Sequence, residues 1–346
     1  MKMGLVGFSG SGKSTVFEWL TGEAPDPAKV QQGQTAMADV PDERLARISA
    51  VLKPKKTTYT KVAVLDTPGL MADERKDNPR RLGIIREANG MVVVLDGFTR
   101  TDFADQLRRF REELLFADLE VVSNRVPKIE AGLKKAKPAK EREADEAELA
   151  LLRRLVAAFE AGKPASQFGL TPEEEKAVRS FQLLTLKPEI VFVNRGDTGF
   201  NDPLPADLLA LAPSAIQAPV KLETELAALP EEDRQAFMAD LGIASFKRDA
   251  TIRAMFYGVG REVFFTTGED ECRTWSIPKG CPAVEAAACV HNDLAEKFVR
   301  ANVISYDDFV ACGYSEKEAK ARGLNRTEGK TYVVKDADIV HILASS

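Results

Sequence analysis

The chain opens with blocks of apolar and polar residues that predict secondary structure of the α/β type. Residues 2 to 6 (KMGLV) predict a short buried strand, residues 7 to 14 (GFSGSGKS) a glycine-rich loop, and residues 15 to 20 (TVFEWL) a helix. Two later apolar runs, 61 to 65 (KVAVL) and 188 to 193 (PEIVFV), predict further buried strands. Buried strands that alternate with helices predict an α/β domain with a mainly parallel sheet.

A long helical pattern interrupts this order in the middle of the chain. From Leu107 to Leu133 the apolar residues recur mainly at spacings of three and four, and the same seam returns from Leu149 to Phe159. A charged connector separates the two stretches. The pattern predicts two antiparallel helices packed on each other, which form a hairpin arm.

The residue pattern of the last part of the chain predicts short strands. Residues 263 to 267 and 272 to 277 flank the turn GEDE and predict a β-hairpin, and residues 331 to 334 and 339 to 343 predict a second one. A short helix is predicted over residues 282 to 290. Strands gathered around one helix predict a small β-rich domain that follows the α/β domain.

The length and composition of the chain limit the classes of protein to which it can belong. At 346 residues the chain exceeds one ordinary core, so two or three domains are expected, and its 44% hydrophobic and 29% charged content is that of a globular protein. No apolar run reaches the roughly 18 residues that a membrane span requires. The first residues lack the charged head and cleavage site of a signal peptide, so we expect a cytoplasmic protein with no membrane partner.

Charge argues against one class of partner and permits another. A net charge of −5 argues against general coating of nucleic acid, whereas a local basic patch remains compatible with it. The connector of the helical arm, residues 134 to 142, contains five basic residues. This tip either contacts RNA phosphates or is a solvated loop whose charge the acidic residues just beyond it dilute, and the sequence leaves both interpretations open.

The loop at residues 7 to 14 fits the pattern G-x-x-x-x-G-K-[ST], with a strand before it and a helix after it. In such a loop the backbone amides and the positive end of the helix bind phosphate oxygens. We expect Lys13 to reach the β- and γ-phosphates and the Ser14 hydroxyl to bind Mg²⁺. The residues expected around the phosphates are Gly10, Ser11, Gly12, Lys13, Ser14 and Thr15.

A second motif, Asp66 to Gly69 (DTPG), follows the strand at 61 to 65. A carboxylate at the end of a strand beside the phosphate loop suits Mg²⁺, and the Gly69 N–H can reach the γ-phosphate, so loss of that phosphate would release the following segment. Thr35, in the polar stretch between the two motifs, is the candidate for a second hydroxyl ligand, although a plain loop threonine is the alternative. The expected metal ligands are Ser14, Thr35 and Asp66, and the expected catalytic residues are Lys13, Thr35 and Gly69.

A third motif follows the strand at 188 to 193. Asn194, Arg195 and Asp197 resemble the N-K-x-D loop with which GTPases bind the base, with arginine in place of lysine. Guanine presents two adjacent N–H donors that one carboxylate can accept, so Asp197 favours guanine. The alternative is an Asn and an Asp that cap a strand-to-helix turn.

These motifs together resemble the Obg-like ATPases of the YchF type, in the translation-factor-related class of P-loop GTPases. The resemblance is carried, in order along nearly the whole chain, by residues 40–45 (VPDERL), 52–54 (LKP), 66–70 (DTPGL), 115–120 (LFADLE), 184–188 (LTLKP), 237–242 (FMADLG) and 300–304 (RANVI). It implies a G domain at 1–103 and 185–261, an inserted helical coiled coil at 104–184, and a TGS domain of β-grasp type at 262–346. It also implies slow nucleotide hydrolysis coupled to ribosome association.

Four positions of the site bear on the rate and the nucleotide that this family implies. Gly10 stands where the family usually has an Asn linked to potassium, which argues against potassium activation, and Asp197 replaces the Glu associated with ATP acceptance. Met91 is matched to a His of most members, and Leu70, as in the family, to a catalytic Gln of small GTPases. We therefore expect slow intrinsic turnover, and a partner protein or RNA that completes the catalytic site.

The sequence supports two functions of different classes. The first is a Mg²⁺-dependent purine nucleoside triphosphatase, for ATP, GTP or both, which switches conformation on the ribosome and contacts it through the arm and the TGS domain. The alternative is a nucleotide-gated module that binds RNA or the ribosome with negligible hydrolysis, since Gly10, Leu70 and Met91 each remove a group that could aid turnover. The absence of a long unpaired apolar seam predicts a monomer.

Overall fold

The computed structural model describes residues 1–29, 31–71 and 77–345. The chain folds as two compact units. Unit 1 comprises Met1–Ala36 and Ala63–Arg248, and unit 2 comprises Met37–Val62 and the residues from Asp249 onward. The chain thus leaves unit 1 early, returns to it at Ala63, and leaves it again after Arg248.

The strands are β1 (Lys2–Val6), β2 (Gln34–Asp39), β3 (Lys56–Thr58), β4 (Lys61–Asp66), β5 (Gly90–Gly97), β6 (Glu189–Arg195), β7 (Ile216–Ala218), β8 (Arg261–Thr266), β9 (Glu271–Pro278), β10 (Phe298–Ile304), β11 (Arg326–Glu328) and β12 (Ile339–Ala344). The helices are α1 (Lys13–Thr21), α2 (Glu43–Leu52), α3 (Asn78–Arg86), α4 (Phe103–Leu133), α5 (Ala139–Glu160), α6 (Pro172–Val178), α7 (Ala206–Leu211), α8 (Val220–Ala227), α9 (Glu231–Asp240), α10 (Arg248–Tyr257), α11 (Ala283–Val290), α12 (Asn292–Glu296), α13 (Tyr306–Ala311) and α14 (Glu316–Ala321).

A six-stranded sheet of order β2-β4-β1-β5-β6-β7 carries the phosphate loop. β1 pairs in parallel with β4 and β5, β5 with β6, and β6 with β7. β1 and β5 are buried along most of their length, because strands covered by helices on both faces need continuous apolar runs. The loops after β1, β4 and β6 therefore share the carboxyl edge of the sheet, where ligands of such folds bind. The α/β fold class predicted from the sequence is confirmed.

The inserted arm is the predicted pair of helices. α4 and α5 bury one apolar seam against each other, which includes Val122, Ile129, Leu152 and Leu155. α5 begins at Ala139, inside the stretch expected to be a connector, and Pro138 is its N-cap residue. The basic tip is therefore shorter than predicted and continues directly into a helix.

The root of the arm is tied to unit 1 by a buried carboxylate. Asp118 of α4 is fully buried and accepts hydrogen bonds from the backbone N–H groups of Leu184 and Thr185 at 2.9 and 2.8 Å. It also accepts one from Arg86 of α3, at 3.0 Å. Two of the stretches that carry the family resemblance, 115–120 and 184–188, thus meet at one polar contact.

Unit 2 is built on a second sheet, of order β11-β10-β12-β8-β9-β3. β8 and β9 form the predicted hairpin, with antiparallel pairing from Arg261–Pro278 to Thr266–Arg273. α11 packs against this sheet through Ala286 and Ala287. A sheet that covers one main helix agrees with the β-grasp domain expected for this part of the chain.

The second predicted hairpin is wrong. Residues 331 to 334 form no strand, and Val333 makes only an isolated bridge to Pro282. β12 instead pairs along its length with β10, as in Ala301 opposite Ile342. Two short apolar runs separated by a turn sequence fit a hairpin locally, but β12 pairs with the nonlocal β10, and Ala301, Val303 and Val340 of these strands share one hydrophobic cluster.

The boundaries of the three expected domains stay a prediction. In the structure the early excursion Met37–Val62 groups with the C-terminal residues, because β3 pairs in parallel with β9. Among the described residues, no helix is both long enough and apolar enough to cross a membrane.

Candidate functional site

The amino end of α1 is prepared for an anion. Gly12 caps the helix, no side chain caps it, and its first turn contains no acidic residue. The first amides of the helix thus have no intrahelical acceptor and lie at the positive end of the helix dipole. Gly12 has a φ of 81°, and a Cβ there would lie 2.2 Å from Nδ2 of Asn194. Both the conformation and the close approach require glycine.

Lys13 is buried with its ammonium turned into the loop. Its Nζ donates a hydrogen bond to the backbone carbonyl of Phe8 at 2.7 Å. Burial lowers the pKa of Lys13 to about 8, while Asp66 acts in the opposite direction and Arg81 adds to the decrease. An anionic ligand at this position would stabilise the charged form of the lysine.

The two expected metal ligands on the sheet edge are in contact. Ser14 Oγ donates a hydrogen bond to Asp66 Oδ2 at 2.7 Å. The other carboxylate oxygen, Oδ1, is buried and has no hydrogen-bond partner within the part of the chain that the structure describes. Burial raises the pKa of Asp66, and Ser14 and Lys13 oppose that increase. A hydroxyl beside a carboxylate with one unused oxygen fits the ligand preference of Mg²⁺.

These groups line a cavity of about 300 Å³, whose walls are Ser9, Gly10, Gly12–Thr15 and Asp66–Gly69. The structure therefore brings together most residues that the sequence assigned to the phosphates and the metal. Ser11 lies on the inner side of the loop, and its buried hydroxyl has no hydrogen-bond partner among the described residues.

The loop is paired with the segment after Asp66. Ser9 N–H donates to the carbonyl of Leu70 at 2.8 Å, and Leu70 N–H donates to the carbonyl of Gly7 at 3.0 Å. This short parallel contact extends the pairing of β1 with β4 beyond both strands. Leu70 is 1% exposed and packs in the core of unit 1, so its side chain cannot position a water molecule.

Arg81 is a residue of this site that the sequence patterns did not reveal. It lies in α3, and its guanidinium donates a hydrogen bond from Nη1 to the carbonyl of Gly69. It is close enough to Lys13 to lower the pKa of that residue. A signal was present in the pair of adjacent arginines 80 and 81, but nothing in their spacing shows which one faces the loop.

The base-binding motif is joined to the phosphate loop through Asn194. This residue is buried at the end of β6, and its Nδ2 donates to the carbonyl of Ser11 at 3.2 Å. Asp197 is exposed beyond the strand. One of the motif's side chains therefore supports the loop, and another is accessible to a ligand.

Arg195 points away from the phosphate loop. Its guanidinium lies 4.9 Å from the centre of the Phe103 ring, and its Nε donates to Gln217 at 2.9 Å. Successive residues of a strand face opposite sides of the sheet, so Arg195 cannot share the direction of Asn194. The structure does not bring Arg195 to the nucleotide side.

Thr35 also lies apart from the metal ligands. It is exposed in β2, where the neighbours Gln34 and Ala36 alternate with it, and among the described residues it makes no hydrogen bond to Ser14 or Asp66. Its role as a metal ligand stays a prediction that requires this segment to rearrange.

Met91 carries no information about turnover. It begins the buried part of β5, opposite Gly4 and Glu189, at the amino end of the strand. The phosphate loop follows the carboxyl end of β1, so Met91 faces the opposite edge of the sheet. The interpretation of Met91 as a lost proton-transfer group is therefore wrong.

Comparison with known proteins gives the family. The model of a 50S ribosome-binding GTPase matches residues 2–125, and that of the YchF-type GTPase C-terminal region, described as a protein of unknown function, matches residues 262–345. The "Ribosome-binding ATPase YchF" of Bacillus subtilis is 31% identical over 98% of this chain and 97% of its own length. That of Escherichia coli O157:H7 is 31% identical over 99% of this chain and 98% of its own.

A solved structure agrees with the fold. The YchF GTPase of Schizosaccharomyces pombe superimposes with a TM-score of 0.83 at 24% identity, over 99% of this chain and 97% of that one. The resemblance found in the sequence and the predicted enzyme class are both confirmed. This chain belongs to the YchF family of P-loop nucleoside triphosphate hydrolases.

Proposed function

We propose that this protein is a Mg²⁺-dependent purine nucleoside triphosphatase that acts as a slow, ribosome-associated conformational switch, monomeric and in the cytoplasm. Two relatives that match the chain from end to end are named ribosome-binding ATPases. The observation that carries the proposal is the 2.7 Å contact between Ser14 and Asp66 in a cavity that Lys13 and the open end of α1 also line.

The phosphates are held by the amides of residues 10 to 15 and by the ammonium of Lys13. Ser14 and Asp66 hold the metal ion, and Thr35 joins them when the start of β2 rearranges. The bound Mg²⁺ supplies positive charge to the β- and γ-phosphate oxygens. The unused Oδ1 of Asp66 is the feature of the structure that best supports this ligand set.

In this proposal the part that switches is the contact between the phosphate loop and residues 69 and 70. Ser9 N–H is occupied by the carbonyl of Leu70, and a Gly69 N–H bound to the γ-phosphate would compete with this arrangement. Loss of the outer phosphate would then change the path of the chain after Leu70. The helical arm and the TGS-like domain would present this change to the ribosome.

Asn194 and Asp197 are the residues that face the base in this proposal, and the test concerns which base they prefer. The exposed carboxylate of Asp197 suits the two N–H donors of guanine, whereas the names of the relatives favour ATP. Competition binding of ATP and GTP to the parent and to Asp197→Glu measures this preference directly. A gain in relative ATP affinity in the variant would show that the length of this side chain sets it.

The assignment of the site is tested with Lys13→Ala. The variant loses a charge-assisted contact to phosphate, so the Kd for ATP or GTP should rise by roughly 10- to 100-fold. Lys163→Ala, which removes an exposed lysine elsewhere in unit 1, is the control and should leave the Kd unchanged. Calorimetry with both variants decides the matter, and equal affinities would refute the site.

A second candidate function is a nucleotide-gated binding module with negligible hydrolysis. The burial of Leu70 favours it, because no water-positioning side chain is available at that position. Single-turnover assays with and without ribosomes separate the two functions. Cleavage in either condition supports the hydrolase, and its absence in both supports the module.

A further inference from the structure

We infer that Arg81 is a catalytic residue that this chain supplies to its own nucleotide site, where its guanidinium binds the γ-phosphoryl oxygens as the phosphate is transferred to water. The inference rests on the proposed function and adds to it a second cation beside Lys13, which the expected motifs do not supply. It concerns the part of the cavity bounded by Gly69 and Lys13.

The position of Arg81 is set by two contacts. Its Nη1 donates to the carbonyl of Gly69, the residue whose N–H is expected to meet the γ-phosphate. Its charge also acts on the ammonium of Lys13, and both Lys13 and the Gly69 that Arg81 contacts line the cavity. Arg81 lies early in α3, and the carbonyl of Gly69 holds it toward the loop.

The donors of Arg81 are largely unused within the described part of the chain. Its Nε is buried and has no hydrogen-bond partner there. A guanidinium has five N–H donors in a planar fork that matches phosphate oxygens. A partly buried arginine with this set of open donors, beside a phosphate loop, is arranged to receive an anion.

The chemistry needs this charge. In hydrolysis a water oxygen bonds to the γ-phosphorus while the bond from that phosphorus to the β–γ bridging oxygen breaks. The bridging oxygen keeps the electron pair and leaves with the nucleoside diphosphate, and of the two water protons one stays on the phosphate and one goes to solvent. Negative charge shifts during this step toward the oxygens near Gly69 and Lys13, where a fixed arginine stabilises it.

The matched control lies next to Arg81 in the same helix. Arg80 is exposed, and among the described residues it forms no ion pair. Arg81→Ala and Arg80→Ala therefore remove the same group from adjacent positions, one facing the loop and one facing solvent. Arg81→Lys keeps the charge and removes the fork, so it separates charge from geometry.

The experiment compares three quantities in the full-length protein. They are the Kd of a non-hydrolysable ATP or GTP analogue, the single-turnover rate with ATP or GTP, and the Kd of the diphosphate with aluminium fluoride, which mimics the phosphoryl group in transfer. In Arg81→Ala the rate should fall by roughly 10²- to 10³-fold and the aluminium fluoride complex should weaken by a similar factor. The Kd of the analogue should stay within about threefold, Arg81→Lys should be intermediate, and Arg80→Ala should match the parent.

Two results would overturn the inference. One is an unchanged rate in Arg81→Ala, and the other is an equal loss of rate and analogue affinity, which would mean that Arg81 only supports Gly69. If Arg81→Ala does not fold, as judged by its thermal transition, Arg81→Lys and Arg81→Met supply the same comparison. A parent protein that binds no triphosphate would refute the proposed function together with this inference, whereas a parent that hydrolyses normally beside an unimpaired Arg81→Ala refutes only the inference.

Discussion

At Gly69 a missing side chain allows two backbone segments to touch. A Cβ at this position would lie 2.6 Å from the Cα of Ser9 and 2.8 Å from Nζ of Lys13. The first atom belongs to backbone and cannot move without displacing the loop. The glycine of the DTPG motif is thus required by packing as well as by any contact with phosphate.

Gly69→Ala should therefore weaken both folding and binding. The clash with Ser9 should lower the free energy of unfolding by about 1–3 kcal/mol and raise the Kd for nucleotide, since the loop must shift. Urea unfolding and calorimetry measure the two effects. Gly83→Ala is the control, because a Cβ there meets no atom within 4 Å, and in the interior of α3 it should stabilise by about 0.5–1 kcal/mol. Normal nucleotide binding by Gly69→Ala would contradict this prediction.

Single residues of the site differ in how far the sequence could locate them. Lys13, Ser14 and Asp66 are fixed by short spacings from the ends of strands, and the parallel sheet brings those ends together. Arg81 depends on where α3 returns to the loop, which no local spacing encodes. The motif does not locate Arg195, because side chains alternate along β6 and the guanidinium lies against Phe103 and Gln217 instead.

At the scale of elements, the junction at Asp118 holds α4, α3 and the turn at 184–185 together. Asp118 is fully buried, and its oxygens accept four hydrogen bonds, from Arg86, from two backbone amides and from the Thr185 hydroxyl. Because the carboxylate is paired and saturated, it is tolerated in the core. The arm thus starts from a fixed point.

Asp118→Ala should be strongly destabilising. It removes the carboxylate paired with the buried side of the Arg86 guanidinium and leaves two amides without their acceptor, so unfolding in urea should show a loss of about 3–5 kcal/mol. Glu146→Ala is the matched control, since Glu146 pairs with Arg142 on the exposed face of α5 at 3.1 Å, and it should cost less than about 0.5 kcal/mol. A loss at Asp118 no larger than the control's would contradict the prediction.

Local patterns predicted the helices and the hairpin β8–β9 well, since each is stabilised by neighbours in sequence. They failed for β12, whose partner β10 is far away along the chain. The choice between two possible partners depends on total burial across unit 2, and a local pattern contains no information on that quantity.

At the scale of the whole molecule, the arm tip is the surface that we propose for contact with ribosomal RNA. Lys137 is paired with Glu141 and Asp145, and Arg142 with Glu146. Lys134, Lys135 and Lys140 are exposed and form no ion pair with described residues. Three of the five basic side chains therefore remain available, which favours phosphate contact over the solvated-loop alternative.

Replacing these three lysines by alanine should weaken ribosome binding mainly at low salt. Each lost phosphate contact should make the negative slope of log K against log salt shallower by about 1. Cosedimentation with ribosomes over a range of salt concentrations measures the slope. A triple variant at Lys163, Lys176 and Arg179 removes the same charge from other exposed positions and should keep the parent slope. Identical slopes in both triple variants would argue against the tip.

Because Met37–Val62 belongs to unit 2, a single truncation cannot separate the two units. Truncation before residue 262 would take away β9, the partner of β3, and Asp336, to which Arg44 donates at 2.7 Å. Met37–Val62 would then lack the rest of unit 2, although it lies in sequence between the segments that carry Lys13 and Asp66. Deletion of the C-terminal residues therefore also destabilises Met37–Val62. A failure of such a fragment in genetic complementation would reflect misfolding and not the loss of a function. Removing Met37–Val62 as well would delete the second half of β2 and the start of β4, so the sheet of unit 1 would lose part of two strands.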